Sequence, residues 1–224
     1  MSTYYGLGIP TTNLEWLVDA GNAKSYPGTG TTWYDLSANN RNQSLVGGAA
    51  YTTINGVGCI DTATEGKYTV DAGTTYTFTA EYTMIAWARA LADSQVSTWR
   101  TLWRTQPDDH PLLIQDGSNT IGYYDNNAAG FVSYGLNLAT IGKENVWAMY
   151  TIVGSGSTST LYIDNRTYSG SVNYNANGNA HDAFGSAAGS QAFGYVAVGM
   201  IYSRALTLSE IDQVFYSYRQ RFGV

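Results

Sequence analysis

Glycoside hydrolysis needs two carboxylates facing one another about 5 to 9.5 Å apart, usually delivered from nearby positions on one strand. The chain has five glutamates, Glu15, Glu65, Glu81, Glu144 and Glu210, and none sits in a Glu-x-Asp-x-x-Glu arrangement. Asp108 and Asp109 are adjacent, so a strand would point them to opposite faces. A Ser-His-Asp nucleophile would need a histidine, and His110 and His181 are the two available. His110 precedes Pro111 in what reads as a turn, and His181 lies in a Gly/Asn-rich tract. No Gly-x-Ser-x-Gly elbow accompanies either. Both read as solvated loop histidines, and the chain is expected not to be an enzyme.

Binding chemistry has more to work with. Calcium accepts Asp and Asn oxygens from loops, and "DDH" at 108–110 and "YYDNN" at 123–127 are the stretches that could offer them. Solvated turns account for the same residues, because Asp and Asn are favoured there on conformational grounds. No metal or other cofactor is therefore expected. Tyr123, Tyr124, Asp125 and Asn126 combine aromatic faces with a carboxylate and an amide, which makes them the candidate carbohydrate site. Cys59 stands alone, so neither an intrachain disulfide nor a cysteine-based metal site can form.

The elements that must position such residues are strands. The 224 residues can form one domain with a large core. Charged residues are 12% of the chain, about half the usual share, while 25 Gly and 19 Tyr supply turns and half-buried pleated surface. Alternating patterns mark strands in "NLEWLVDA", with Leu14, Trp16 and Val18 on one face, and in "EYTMIAWARA", with Met84, Ala86 and Ala88 opposing Ile85, Trp87 and Arg89. Further strands are expected around Trp103, Leu113, Tyr123, "FVSYGLNL" and Trp147. "STLYIDNRTYSG" reads as a hairpin turning on Asp164-Asn165. "YVAVGMIYS" is nearly all apolar and so should be central. Residues 170–194, rich in Gly, Ala, Asn and Ser, read as loop. One helix is predicted over 207–222: Thr207 and Glu210 form a capping box, Leu206 can staple against Ile211, and Gly223 stops it.

The run "LVDAGNAKSYPGTGTTWYDLSANN" resembles the opening of concanavalin A-like jelly rolls of the laminin G/pentraxin type, such as those in tailed-phage virion proteins and bacterial surface proteins. "YTMIAWARA", "STLYIDNRTYSG" and "VGMIYSRALTLSEIDQVF" follow in the order of that family's later motifs, so the resemblance covers about residues 14–222. Ala38 stands where the family has Gly, and Asn165 replaces the hairpin Gly. The resemblance implies an all-β sandwich of two antiparallel sheets with one C-terminal helix, spanning 14–224, after an extended arm at 1–13. It also implies that Trp33 is buried while Asp35 holds the turn.

The net charge of -6, with no Lys/Arg cluster, argues against nucleic acid and anionic membrane surfaces. The start of the chain lacks the basic and apolar runs of a signal peptide. Together with the resemblance, this leads to an expected structural protein on the outside of a phage virion, assembled in the host cytoplasm. A capsid decoration protein is the first expectation. Its partners would be other virion proteins or further copies of itself, engaged through the apolar arm residues Tyr4, Tyr5, Leu7 and Ile9. The alternative is a glycan-binding adhesin or tail accessory module.

Overall fold

The computed structural model describes residues 8–73, 75–127, 129–187 and 190–224. In chain order the strands are β1 (Leu14–Asp19), β2 (Thr32–Trp33), β3 (Gln43–Val46), β4 (Ala50–Ile54), β5 (Val57–Thr62), β6 (Tyr68–Asp71), β7 (Tyr82–Ala90) and β8 (Arg100–Gln106). They continue as β9 (Asp109–Ile114), β10 (Thr120–Asp125), β11 (Gly130–Asn137), β12 (Trp147–Ser155), β13 (Thr158–Ile163), β14 (Tyr168–Val172), β15 (Ala180–Phe184) and β16 (Gly194–Tyr202). Helix α1 (Leu208–Phe222) closes the chain.

These strands form two antiparallel sheets. Sheet A runs β14-β13-β12-β7-β16-β5-β4, with β1 sharing an edge of β16, and sheet B runs β11-β10-β9-β8-β15-β6-β3-β2. The molecule is a β-sandwich with one C-terminal helix. The apolar β16 is central, flanked by β7 on one side and by β5 and β1 on the other.

Alternation along the strands builds two cores. Trp16, Met84, Ala86, Ala88, Tyr150 and Ile201 meet Trp103, Leu112, Ile114, Tyr123 and Phe184 between the sheets. The opposite face of sheet A, with Leu17, Ile85, Trp87, Trp147, Met149 and Met200, is covered by Ile211, Val214, Phe215 and Phe222 of α1. Trp87 lies flat on Phe222 with ring centroids 4.2 Å apart. The helix is needed there because both faces of β7, β12 and β16 are apolar, and the second face would otherwise meet water.

The helix terminates as its sequence dictates. Thr207 Oγ1 accepts from the Glu210 amide at 3.3 Å, and Glu210 Oε2 accepts from the Thr207 amide at 2.9 Å. Gly223 takes the left-handed conformation at φ 72°. Asp35 likewise holds its turn. Its Oδ1 accepts from the Leu17 and Ser37 amides and its Oδ2 from the Arg41 amide, all at 2.9 Å, beside a fully buried Trp33.

Three sequence-based expectations are corrected. Residues 170–194 include β15, which is buried at His181, Ala183 and Phe184 because its neighbours β6 and β8 and the core side chains supply the apolar surface its own composition lacks. The hairpin after Ile163 turns through residues 164–167, with Asp164 and Arg166 at positive φ, rather than through two residues. His110 and His181 both lie on strands and are buried. His181 sits between Trp16 and Trp103 with Nδ1 2.7 Å from Asp71 Oδ1. A ring nitrogen bonded to a carboxylate partner lets a histidine sit in an apolar interior, and composition around a histidine does not reveal that partner.

Candidate functional site

Two turns at one end of sheet B, β8–β9 and β10–β11, carry the polar groups. Asp109, 4% exposed, ties them together. Its Oδ1 accepts from the Asn126 amide at 3.0 Å, and its Oδ2 accepts from Asn179 Nδ2 at 2.8 Å and Tyr174 Oη at 3.4 Å. Asn126 Nδ2 also donates to the Asp108 carbonyl. A buried carboxylate satisfied by three donors is a fixed post, and it sets where Asp108 and Asn126 stand.

A bulge then decides which way His110 faces. Between Thr105↔Asp109 and Trp103↔Leu112, β9 advances three residues while β8 advances two. The extra residue breaks the alternation. Leu112 and Ile114 point into the inter-sheet core, whereas His110 joins Thr101 and the cleft at Leu113 and Tyr124.

The result is a cleft of about 290 Å³ lined by Trp99, Asp108, His110, Leu113, Tyr124, Asn126 and Gln191. Trp99 stands edge-on to Tyr124 (5.7 Å, 89°) and Phe131 (5.3 Å, 79°). Gly122 makes room for that cluster, because a Cβ there would meet the Phe131 ring at 2.3 Å.

The polar side of the cleft is a short relay. Thr101 Oγ1 donates to Gln191 Oε1 at 2.7 Å and lies 3.2 Å from His110 Nδ1. Its one proton goes to Gln191, so it accepts from His110 Nδ1–H, and Nε2 is left as the acceptor. Burial holds the His110 pKa down at about 4 against the pull of Asp108, with Arg104 opposing protonation and Asp109 favouring it. The imidazole is therefore neutral at physiological pH. Arg104 Nε donates to Asp108 Oδ1 at 2.6 Å, and Arg104 also pairs with Asp182.

The four residues singled out as a carbohydrate site are thus divided. Tyr124 and Asn126 line the cleft. Tyr123 is 3% exposed, packs in the inter-sheet core and stacks on Tyr174 at 4.2 Å, so its face is not available to a ligand in this cleft. Consecutive strand residues face opposite ways, and one of two adjacent tyrosines had to turn inward. Asp125 Oδ1 accepts from the Asn127 amide at 2.8 Å, the local turn contact of an Asx residue. Asp108 and His110, from the stretch that could have offered calcium ligands, also line the cleft, and Trp99, Leu113 and Gln191, outside every candidate site, complete it. The unusual "STWRTLW" pair of tryptophans was the available sign for Trp99; nothing in the sequence marks Gln191.

The other expectations are placed as follows. Among the described residues no group of three or more His, Cys, Asp or Glu side chains could hold a metal ion. Cys59 is buried in β5, and burial pushes its thiol up to about 12. Of the arm, Tyr4, Tyr5 and Leu7 lie outside the described residues. Ile9 packs on the core beneath α1, the Pro10 carbonyl accepts from Tyr202 Oη at 3.0 Å, and the Thr12 carbonyl accepts from Arg204 Nε at 3.1 Å.

No protein-family model and no curated protein sequence matches the chain. Solved structures do share its fold. Trypanosoma rangeli sialidase in complex with sialic acid is similar over 96% of this chain and 34% of its own, at 12% identity and a TM-score of 0.63. The binding domain of Paraclostridial Mosquitocidal Protein 1 is similar over 92% of this chain and 52% of its own, at 17% identity and a TM-score of 0.61. The HCR/D F1240A mutant has a TM-score of 0.64, at 14% identity, over 92% of this chain and 52% of its own. The chain thus spans a third to a half of the structures it resembles, and at these identities the likeness is one of fold alone, a sandwich of two antiparallel sheets.

Proposed function

We propose that this domain is a non-catalytic carbohydrate-binding module whose ligand occupies the cleft between Trp99 and His110. The observation that carries the reading is the pairing of a half-exposed aromatic wall with a buried, neutral His110 whose Nε2 has no partner among the described residues. Sugars present apolar C–H faces to aromatic rings and hydroxyl groups to fixed acceptors, and the relay fixes one such acceptor. The carboxylate lining the cleft is Asp108, held by Arg104, while Asp109 is buried and fully engaged. A carboxylate pair for acid–base cleavage is not assembled there. The neighbouring sialidase and toxin binding domain are compatible with a sugar-binding sandwich.

A glycan array probed with the native protein and with Trp99→Ala tests this. The expected outcome is binding to at least one glycan that the variant loses while keeping its circular dichroism spectrum. Absence of binding to any glycan would reject the reading.

A second proposal concerns where the module is carried. The order of the four sequence motifs supports a place on the outside of a phage particle, as a capsid decoration or tail accessory protein. Ile9 is occupied within its own domain, so anchoring falls to Tyr4, Tyr5 and Leu7. Replacing those three with Ser is expected to leave the domain folded and to remove it from purified particles, read by quantitative mass spectrometry. Undiminished incorporation of the variant would sink the anchor, and absence of the native chain from particles would sink the placement.

A further inference from the structure

We infer that the Trp99–His110 cleft selects neutral, hydroxyl-rich sugars and rejects acidic ones. The inference rests on the carbohydrate reading above and adds the ligand class. It follows from which hydrogen-bonding roles remain open and from the local charge.

On the open roles, His110 Nε2 can only accept, since Nδ1 carries the proton that Thr101 takes up. Asp108 adds a carboxylate with 58% of its side chain exposed, also an acceptor. Gln191 uses Oε1 for Thr101, which leaves its amide protons as donors. Two acceptors and one amide donor beside an aromatic wall match vicinal hydroxyl groups, each of which can donate to one neighbour and accept from another. A carboxylate ligand has no proton to give to either acceptor.

On the charge, Asp108, Asp109 and Asp182 surround this end of sheet B, and Arg104 is the cation that reaches His110. Arg104 already holds two of those carboxylates, Asp108 and Asp182. An incoming carboxylate would meet net negative charge with no unpaired cation among the described residues of the cleft to receive it, and like-charge juxtaposition at a partly dry site is strongly unfavourable. The sialic acid bound by one structural neighbour is therefore not a guide to this cleft.

Isothermal titration with paired oligosaccharides, identical except for a terminal neutral hexose, sialic acid or uronic acid, tests the inference. The native protein is expected to bind the neutral member at least about tenfold more tightly than either acidic one. Trp99→Ala should abolish the neutral binding. Asp108→Asn, with its fold checked by circular dichroism, should narrow the gap because it removes a negative charge and leaves Arg104 paired with Asp182 alone. Equal or tighter binding of an acidic member, lost in Trp99→Ala, would overturn the neutral preference while leaving the carbohydrate reading intact. Binding of neither class would overturn the carbohydrate reading itself. A neutral preference untouched by both substitutions would place the sugar elsewhere and overturn the assignment to this cleft.

Discussion

A single buried imidazole carries much of the site's chemistry. His110 is held neutral because charging it would cost the hydration it has given up, and its pKa falls to about 4 from an ordinary 6.5. The sign of the consequence is fixed. Between pH 6.5 and about 4 the unfolded chain takes up a proton that the native state refuses, so stability is fully present above 6.5 and declines as pH falls through that window. The loss should reach up to about 3 kcal/mol and then level off. Urea unfolding at pH 7 and pH 4.5 should show it, and His110→Gln should flatten it. Sugar affinity has its own signature: it should hold from pH 8 to 5 and drop near pH 4, when Nε2 becomes a donor. An affinity unchanged at pH 3.5 in folded protein would remove His110 from the contact. The same scale explains why adjacent Tyr123 and Tyr124 have different fates, one stacked in the core and one on the cleft.

Helix α1 is the element whose loss would be felt most widely, because it covers the second apolar face of sheet A. Trp87→Ala removes a ring stacked on Phe222 and fully buried, and should cost about 3 to 5 kcal/mol in chemical denaturation. Trp147→Ala, under the same helix, should fall in that range as well. A neutral result for both would mean the helix is not docked on this face. The capping box is a smaller contribution. Thr207→Ala should cost about 1 kcal/mol. The Arg204 guanidinium beside Glu210 holds its carboxyl at about 2, so this cap survives at neutral pH and weakens as pH falls from the ordinary carboxylate range towards 2. The bulge in β9 is the other decisive element, since it turns His110 outward without moving the core residues Leu112 and Ile114.

The whole molecule is a sandwich whose two cores share sheet A. Residues before β1 belong to it from Gly8 onward: Gln213 Nε2 donates to the Gly8 carbonyl, and Ile9 packs beneath the helix. Deleting residues 1–12 should therefore lower stability by about 2 to 4 kcal/mol, from the Ile9 side chain and the four hydrogen bonds accepted by Gly8, Pro10, Thr11 and Thr12. Calcium should leave the melting temperature unchanged, because Asp108 is engaged by Arg104 and Asp125 by its own turn. A ligand that bound only the native state would raise it. A clear calcium-dependent rise would make one of those loops a metal site.

Sequence alone determined the features that depend on local chemistry. Alternation assigned the faces of β7 and of β1 from Trp16 on, the Thr207–Glu210 spacing and Gly223 bounded the helix, and Asp35 marked its turn. Each is a preference of a few residues for one backbone form, and it shows wherever those residues stand together. Leu14, expected beside Trp16 and Val18, packs instead on the core under the helix with Leu17, because a register shift between Leu14 and Trp16 breaks the alternation. The cleft depended on tertiary structure. Trp99, His110 and Gln191 are separated by up to 92 positions, and no local rule joins them. His110 faces outward only because β9 carries a bulge against β8, a matter of pairing between strands. Gln191 enters only because Thr101, buried on β8, bonds it through both backbone and side chain. β15 is invisible in its composition for the same reason: its place comes from the ladder and core offered by its neighbours, which the segment itself does not encode.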